Sequence, residues 1–204
     1  MKAKLTAKIA RREGVNLDGR EKISRILAKR PYVPGVHGPG NRSRQTDYAK
    51  QLREKQKCKR MYGMNERQFD NWFREASKAR GNTEEHFIRL LESRFDNVVF
   101  RAGFAKTRAM ARQFVNHAMF DVNGAKVNIP SYRLKSGDVI TVRSTKQSKG
   151  PWKTLGESLK NLTAVSWLAV DPNELSIKVT GIPTAEELKQ QPFDAKLIVE
   201  YYSR

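Results

Sequence analysis

The sequence predicts an α+β fold: a mostly helical N-terminal domain behind a basic, irregular arm, then helices packed on a small, mainly antiparallel β-sheet. Three observations predict it. Apolar residues recur at i, i+3, i+4 spacing between 46 and 93, the period of helices that bury one face. Asn123-Gly124 separates two short runs, the signal of a two-residue hairpin turn. Ser136-Gly137-Asp138 then leads into Val139, Ile140, Thr141 and Val142, a β-branched strand. The expected division is an arm at 1–45, a helical domain at 46–93 completed by 184–204, and a sheet-bearing module at 94–183 with its core at 94–153.

The elements follow in order. Pro31, Pro34, Gly35, Gly38, Pro39 and Gly40 break helices in the arm, although Ile23, Ile26 and Leu27 keep helical spacing. Such an arm is expected to order on a partner. Thr46 or Asp47 caps the next helix, with Tyr48, Leu52 and Lys55 on one face and Lys50, Arg53, Lys57 and Arg60 on the other. Gly63 ends that run. Phe69, Trp72 and Phe73 form a stripe within 65–79, and their spacing marks them as core rather than as platforms for stacked bases. Gly81-Asn82 stops this helix, and Thr83 caps another through Phe87, Leu90 and Leu91.

Residues 94–143 begin with an amphipathic helix and continue with a basic helix capped by Thr107. In the hairpin that follows, Gly124 and Gly137 supply the positive-φ turn positions. Beyond it, the sequence predicts a helix near 155–165 and a hairpin of Trp167–Val170 and Leu175–Thr180 around Asp171-Pro172-Asn173. Pro183, Thr184 and Glu187 form a capping box. Asp194 caps a last helix containing Leu197, Ile198 and Tyr201, a segment short enough to read equally as a strand.

Charge narrows the function. The chain's 204 residues carry 40 Lys+Arg against 21 Asp+Glu, a formal net charge of +19, and the pI is about 10.3. Residues 1–80 hold 22 basic and 8 acidic side chains, and residues 94–153 hold 12 and 3, whereas 154–204 hold 5 and 7. A compact fold at that charge repels itself, so nucleic acid is the first candidate partner and an anionic membrane surface the second. No run approaches the roughly 18 apolar residues of a spanning helix, and the N-terminus lacks the apolar region of a secretory signal. Membrane association is therefore not expected. One cysteine, Cys58, makes no intrachain disulfide, which fits a reducing compartment and a cytoplasmic location.

The residue chemistry suits structured RNA. A helix N-terminus attracts phosphate, and Thr107 as cap places Arg108 in the first turn with Arg112 one turn later on the same face. Both guanidiniums have the fork geometry that phosphate oxygens accept. Arg94, Arg101 and Lys106 add charge ahead of this helix, and Lys126 and Arg133 add it from the hairpin side. Glu92 and Asp96 lie close enough to pair with Arg94, and His117 fits the end of a helix as a polar cap.

"RFDNVVFRAGFAKTRAMARQFV" followed by "VNGAKVNIPSYRLKSGDVI" resembles the S-four RNA-binding domain. "RREG" at 11–14, "PYVPGVHG" at 31–38, "DYAKQLREKQKCKRMYGMNERQF" at 47–69, "GNTEEHFIRLLESRFDNVV" at 81–99 and the closing "LIVEYYSR" resemble the bacterial-type small-subunit ribosomal protein S-four family, in that order. The resemblance implies a structural protein of the small ribosomal subunit that docks a multi-helix junction of its rRNA early in assembly. It implies rRNA contacts at Arg11, Arg12, Arg53, Lys57, Arg60, Arg108 and Arg112, and a place near the mRNA entry channel for Arg42 and Arg44. Pro39-Gly40-Asn41 stands where the family carries denser charge, which weakens that last role. Ribosomal protein S-five, at an interface linked to decoding accuracy, and the chain's own mRNA are further implied partners.

Some relatives hold zinc through four N-terminal cysteines, which this chain lacks. With Cys58 alone and His37, His86 and His117 scattered, neither zinc nor any cofactor is expected. Two other classes stay open: an RNA-modifying enzyme carrying the same domain, and a free-standing RNA chaperone. The 51 residues after 153 are short for a catalytic domain, and no phosphate-cradling loop or Ser-His-Asp set accompanies them, so catalysis is not expected.

Overall fold

The computed structural model describes residues 5–40, 44–147, 152, 165–184, 187 and 191–203. The chain divides into two compact units, residues 1–88 with 189–204 and residues 89–188.

The first unit is helical. It holds α1 (Ala7–Glu13), α2 (Glu21–Lys29), α3 (Asp47–Met61), α4 (Glu66–Lys78) and the first half of α5 (Thr83–Glu92). Two of these helices therefore lie inside the expected arm, where Ala10, Leu17 and Ile23 are buried. Thr6 caps α1 and Thr46 caps α3, each hydroxyl accepting a backbone N–H three residues on. Asn65 caps α4 in the same way. At α5 the cap differs from expectation: Asn82 Oδ1, not Thr83, accepts the Glu84 N–H at 3.0 Å.

The face that α3 buries also differs. Gln51, Lys55, Cys58 and Met61 are inside, whereas Tyr48 is exposed and Leu52 half-buried. The reason is the chain's last helix, which packs along α3 and uses polar partners that periodicity cannot reveal. Its separate capping by Asp194 Oδ1, which accepts the Lys196 N–H at 2.9 Å, resolves the ambiguous segment as a helix, Ala195–Tyr202. Gln51 Nε2 donates to Glu200 Oε2 (3.1 Å), and Lys55 pairs with Glu66 while its ammonium lies over the Tyr201 and Tyr202 rings. Tyr202 stacks on Phe73 at 4.3 Å, and Phe69, Phe73 and Phe87 meet edge to face behind it. Each such pair adds about 0.5–1.5 kcal/mol beyond the area it buries.

The second unit packs α6 (Phe95–Arg101) and α7 (Arg108–Asn116) on a five-stranded antiparallel sheet. Its strands are β1 (Phe120–Val122), β2 (Ala125–Lys126), β3 (Val139–Val142), β4 (Leu168–Asp171) and β5 (Ser176–Val179), in the order β2-β1-β3-β5-β4. Ile140 pairs with Val122 on one side and Ile177 on the other, so alternate residues face the helices. There they meet Phe95, Val98, Phe104, Val115, Phe120 and Trp152. A four-residue helix, α8 (Ser144–Gln147), follows β3, and the last helix of the chain, in the first unit, is α9 (Ala195–Tyr202).

Turn chemistry sets the sheet register. Asn123 (φ 50°) and Gly124 (φ 78°) make the two-residue turn with both residues left-handed, as this turn type requires. Asn123 also clamps the next strand: its Oδ1 accepts the Val139 N–H and its Nδ2 donates to Asp138 Oδ1, both at 2.9 Å. At β4–β5, Asp171 Oδ1 accepts the N–H groups of Asn173 and Glu174. Thr184 and Glu187 form the reciprocal bonds of a capping box. The helix expected near 155–165 lies, but for Val165, outside the described residues.

Candidate nucleic-acid interface

Three segments converge in the second unit: the end of α5, the α6–α7 hairpin and the extended stretch 130–134. The first N–H groups of α6 have no side-chain cap. Instead Phe95 N–H donates to the Tyr132 carbonyl (2.9 Å) and Asp96 N–H to the Pro130 carbonyl (3.2 Å), which satisfies donors a helix end leaves open. This docking fixes the loop that carries Arg133 against the helix that carries Arg101.

Arg94, expected at the interface, is placed inside the unit. It is 1% exposed, and its guanidinium makes a two-pronged bond to Asp96, Nε to Oδ1 at 3.1 Å and Nη2 to Oδ2 at 2.9 Å. A guanidinium that deep, facing a carboxylate, is packed as part of the core. Burial pushes the Asp96 carboxyl above its ordinary range, while the Arg94 charge and hydrogen bond pull it back.

The other arginines are half-buried and directed by polar groups beneath them. Arg101 grips Glu92 through Nε (2.9 Å) and Nη2 (2.8 Å). Arg112 Nη1 reaches Asp96 Oδ2 at 3.4 Å, and burial lowers its pKa. Arg108 Nε donates to Asn97 Oδ1 at 2.8 Å, and the guanidinium lies over the Phe100 ring, 4.3 Å from its centre. Thr107 caps α7 as expected, its hydroxyl accepting the Met110 N–H at 3.2 Å. His117 stands at the other end, exposed. Lys106 and Lys126 are exposed, and Arg133 is half-buried where its backbone bridges that of Arg94.

In the first unit α3 carries Arg53, Lys57 and Arg60. Arg53 and Arg60 both bond Oε1 of Glu13, whose side chain is 0% exposed and comes from the end of α1. Lys57 pairs with Glu54 at 2.6 Å. Arg11 donates to the backbone carbonyls of Tyr32 (3.0 Å) and Val33 (3.2 Å) and lies over the Tyr32 ring. Arg12 and Arg44 are exposed, and Arg42 lies outside the described residues.

Residue patterns alone did not single out Glu13 and Asn97 among the groups that aim the arginines, and they set Glu92 beside Arg94, whereas Arg101 is the arginine that grips it with two bonds. Their one sequence signal is an acid or amide set inside an otherwise basic block. Among the described residues no three His, Cys, Asp or Glu side chains gather as a metal site would require, and no helix is long and apolar enough to cross a membrane.

A helical unit followed by a helix pair on an antiparallel sheet, with arginines held at the surface of both, is the plan of an S4-domain protein. Family models agree on both parts: Ribosomal protein S4/S9 N-terminal domain matches residues 3–92 and S4 domain matches residues 93–140. The chain is 48% identical over 200 residues to a small ribosomal subunit protein uS4 from Chloroflexus aurantiacus, covering 97% of this chain and 96% of the relative. The proteins of that name from Roseiflexus castenholzii and Geobacillus stearothermophilus are 47% and 46% identical, over the same shares of each chain. The chain belongs to the small ribosomal subunit protein uS4 family.

Proposed function

We propose that this chain is a structural constituent of the small ribosomal subunit that binds its rRNA directly through both units. It captures the RNA electrostatically and then docks by shape on a multi-helix junction, nucleating assembly there. The observation that carries this reading is the support beneath the arginines in each unit. Glu13 lies under Arg53 and Arg60, and Glu92 and Asn97 lie under Arg101 and Arg108. Guanidiniums held in this way read a fixed backbone shape, which is how folded RNA is distinguished. The proposed contacts are Arg11, Arg12, Arg53, Lys57, Arg60, Arg101, Lys106, Arg108, Arg112, Lys126 and Arg133. Arg42 and Arg44 would lie by the mRNA entry channel, ribosomal protein S-five would border the less basic surface and bear on decoding accuracy, and the chain's own mRNA is a second RNA target. The protein acts in the cytoplasm, as a scaffold and not a catalyst.

Sedimentation tests the main claim. The chain should co-migrate with small subunits and survive a high-salt wash. Recovery only in free fractions would instead favour a chaperone or RNA-modification role. A second test is local: Arg108→Ala with Arg112→Ala should weaken binding to small-subunit rRNA by on the order of a hundredfold, taking about tenfold for each charge-assisted contact, with circular dichroism unchanged. Wild-type affinity in that folded variant would remove these two arginines from the interface.

A further inference from the structure

Asn97 is 1% exposed, and its amide is committed at both ends. Its Nδ2 donates to two oxygens of Glu92, the carboxylate Oε2 at 2.7 Å and the backbone carbonyl at 3.1 Å. Both are acceptors, so the NH2 group must face them and the Oδ1 must face Arg108. Glu92 is itself fixed by the two-pronged bond from Arg101. The chain of bonds therefore runs from one arginine to the next through a carboxylate and an amide. Arg108 meets its end through Nε and is held from a second direction by the face of Phe100.

We propose that Asn97 and Phe100 are positioning residues for RNA binding, holding the Arg108 guanidinium in one plane and one direction before the phosphate arrives. This deepens the rRNA-binding reading and rests on it. A long side chain loses rotamer freedom when it is immobilised on a ligand, and ordering it beforehand removes that loss from binding. The choice of holder matters as much as the holding. Arg101 and Arg112 face carboxylates, which orient them and also offset their charge. Asn97 is neutral, so the hydrogen bond that orients Arg108 does not itself offset its charge, and an aromatic face orients a guanidinium without neutralising it. Arg108 is thus held in place by two neutral groups, the Asn97 amide and the Phe100 ring, within the field of Asp96.

The test is a pair of double-mutant cycles on the full chain, read as affinity for small-subunit rRNA transcribed in vitro across a salt series. Arg108→Ala should weaken binding and shallow the salt slope by about one. Asn97→Ala and Phe100→Leu should each weaken binding by on the order of tenfold and leave the salt slope as in the wild type, because the charge is still present. In the Arg108→Ala background neither should cause a further loss. A loss that persists in that background, or the absence of any loss, overturns the proposal, since a purely structural role would not act through Arg108. If Arg108→Ala alone binds as wild type, it is the RNA-contact reading that fails, and the proposal with it. Should Asn97→Ala fail to fold by circular dichroism, Phe100→Leu leaves the buried bonds in place and carries the same test.

Discussion

Arg94 and Arg108 have the same guanidinium and opposite surroundings. Arg94 is closed off with Asp96, so its removal would leave a carboxylate that is buried and deprived of its main counter-charge. Breaking a buried pair from one side destabilises by about 3–5 kcal/mol. Arg94→Ala should therefore shift the urea midpoint strongly. A shift no larger than that of a surface arginine would mean that this pair does not anchor the start of α6. Arg108 is half-buried and bonds the neutral Asn97, so its loss should register in RNA affinity and cost less stability than the loss of Arg94. Charge counts treat the two residues as equal, and the acids of a basic block as mere subtraction. At atomic scale Glu13 and Glu92 are instead what points the neighbouring arginines.

Among the elements, α9 depends most on charge state. Burial opposes both charges of the Lys55–Glu66 pair. Nevertheless, Glu66 and the two tyrosines hold Lys55 above its ordinary value, and Lys55 and Lys59 hold Glu66 below its own. Burial pushes Tyr202 up to about 12. The Glu66 contribution is thus present above the ordinary carboxylate range and lost as pH falls through its lowered value. The Lys55 contribution is present below the ordinary lysine range and lost as pH rises through its raised value. Tyr202 adds to the alkaline loss, because the unfolded chain ionises its phenol first. Stability measured by urea melts should fall above about pH 10, the ordinary phenol range, and fall less in Tyr202→Phe. Identical alkaline limbs would remove Tyr202 from this account.

The turn at 33–38 offers a steric counterpart. A Cβ on Gly38 would collide with the Val33 carbonyl oxygen, which also accepts from Arg11. Gly38→Ala should destabilise by about 1–3 kcal/mol by the same melts, and a neutral result would show that the turn can shift. Elements like these mark what was legible in advance. Thr107, Asp194, Asn123-Gly124 and Asp171-Pro172-Asn173 were readable because a cap or turn is decided within about four residues. The buried face of α3 was not, because Gln51 meets Glu200 across 149 positions. Nor was the burial of Arg94, which depends on a loop that folds back from residues 130–134.

For the molecule as a whole, the net charge of +19 survives the pairing of individual arginines. Binding to rRNA should weaken linearly in log affinity against log salt, with a slope near −0.7 to −0.9 for each phosphate neutralised. A flat salt series would argue that charge does not drive the association. The layout also imposes an order in time. The first unit is interrupted by the second, since residues 89–188 intervene before α9 completes it. During synthesis at roughly 5–20 residues per second, Gln51 waits on the order of ten seconds for Glu200. The sheet unit can close within that interval, while the part of α3 that receives α9 stays uncovered. A nascent chain stalled at that point would present one finished unit and one open helix, a state suited to a chaperone or to the RNA itself.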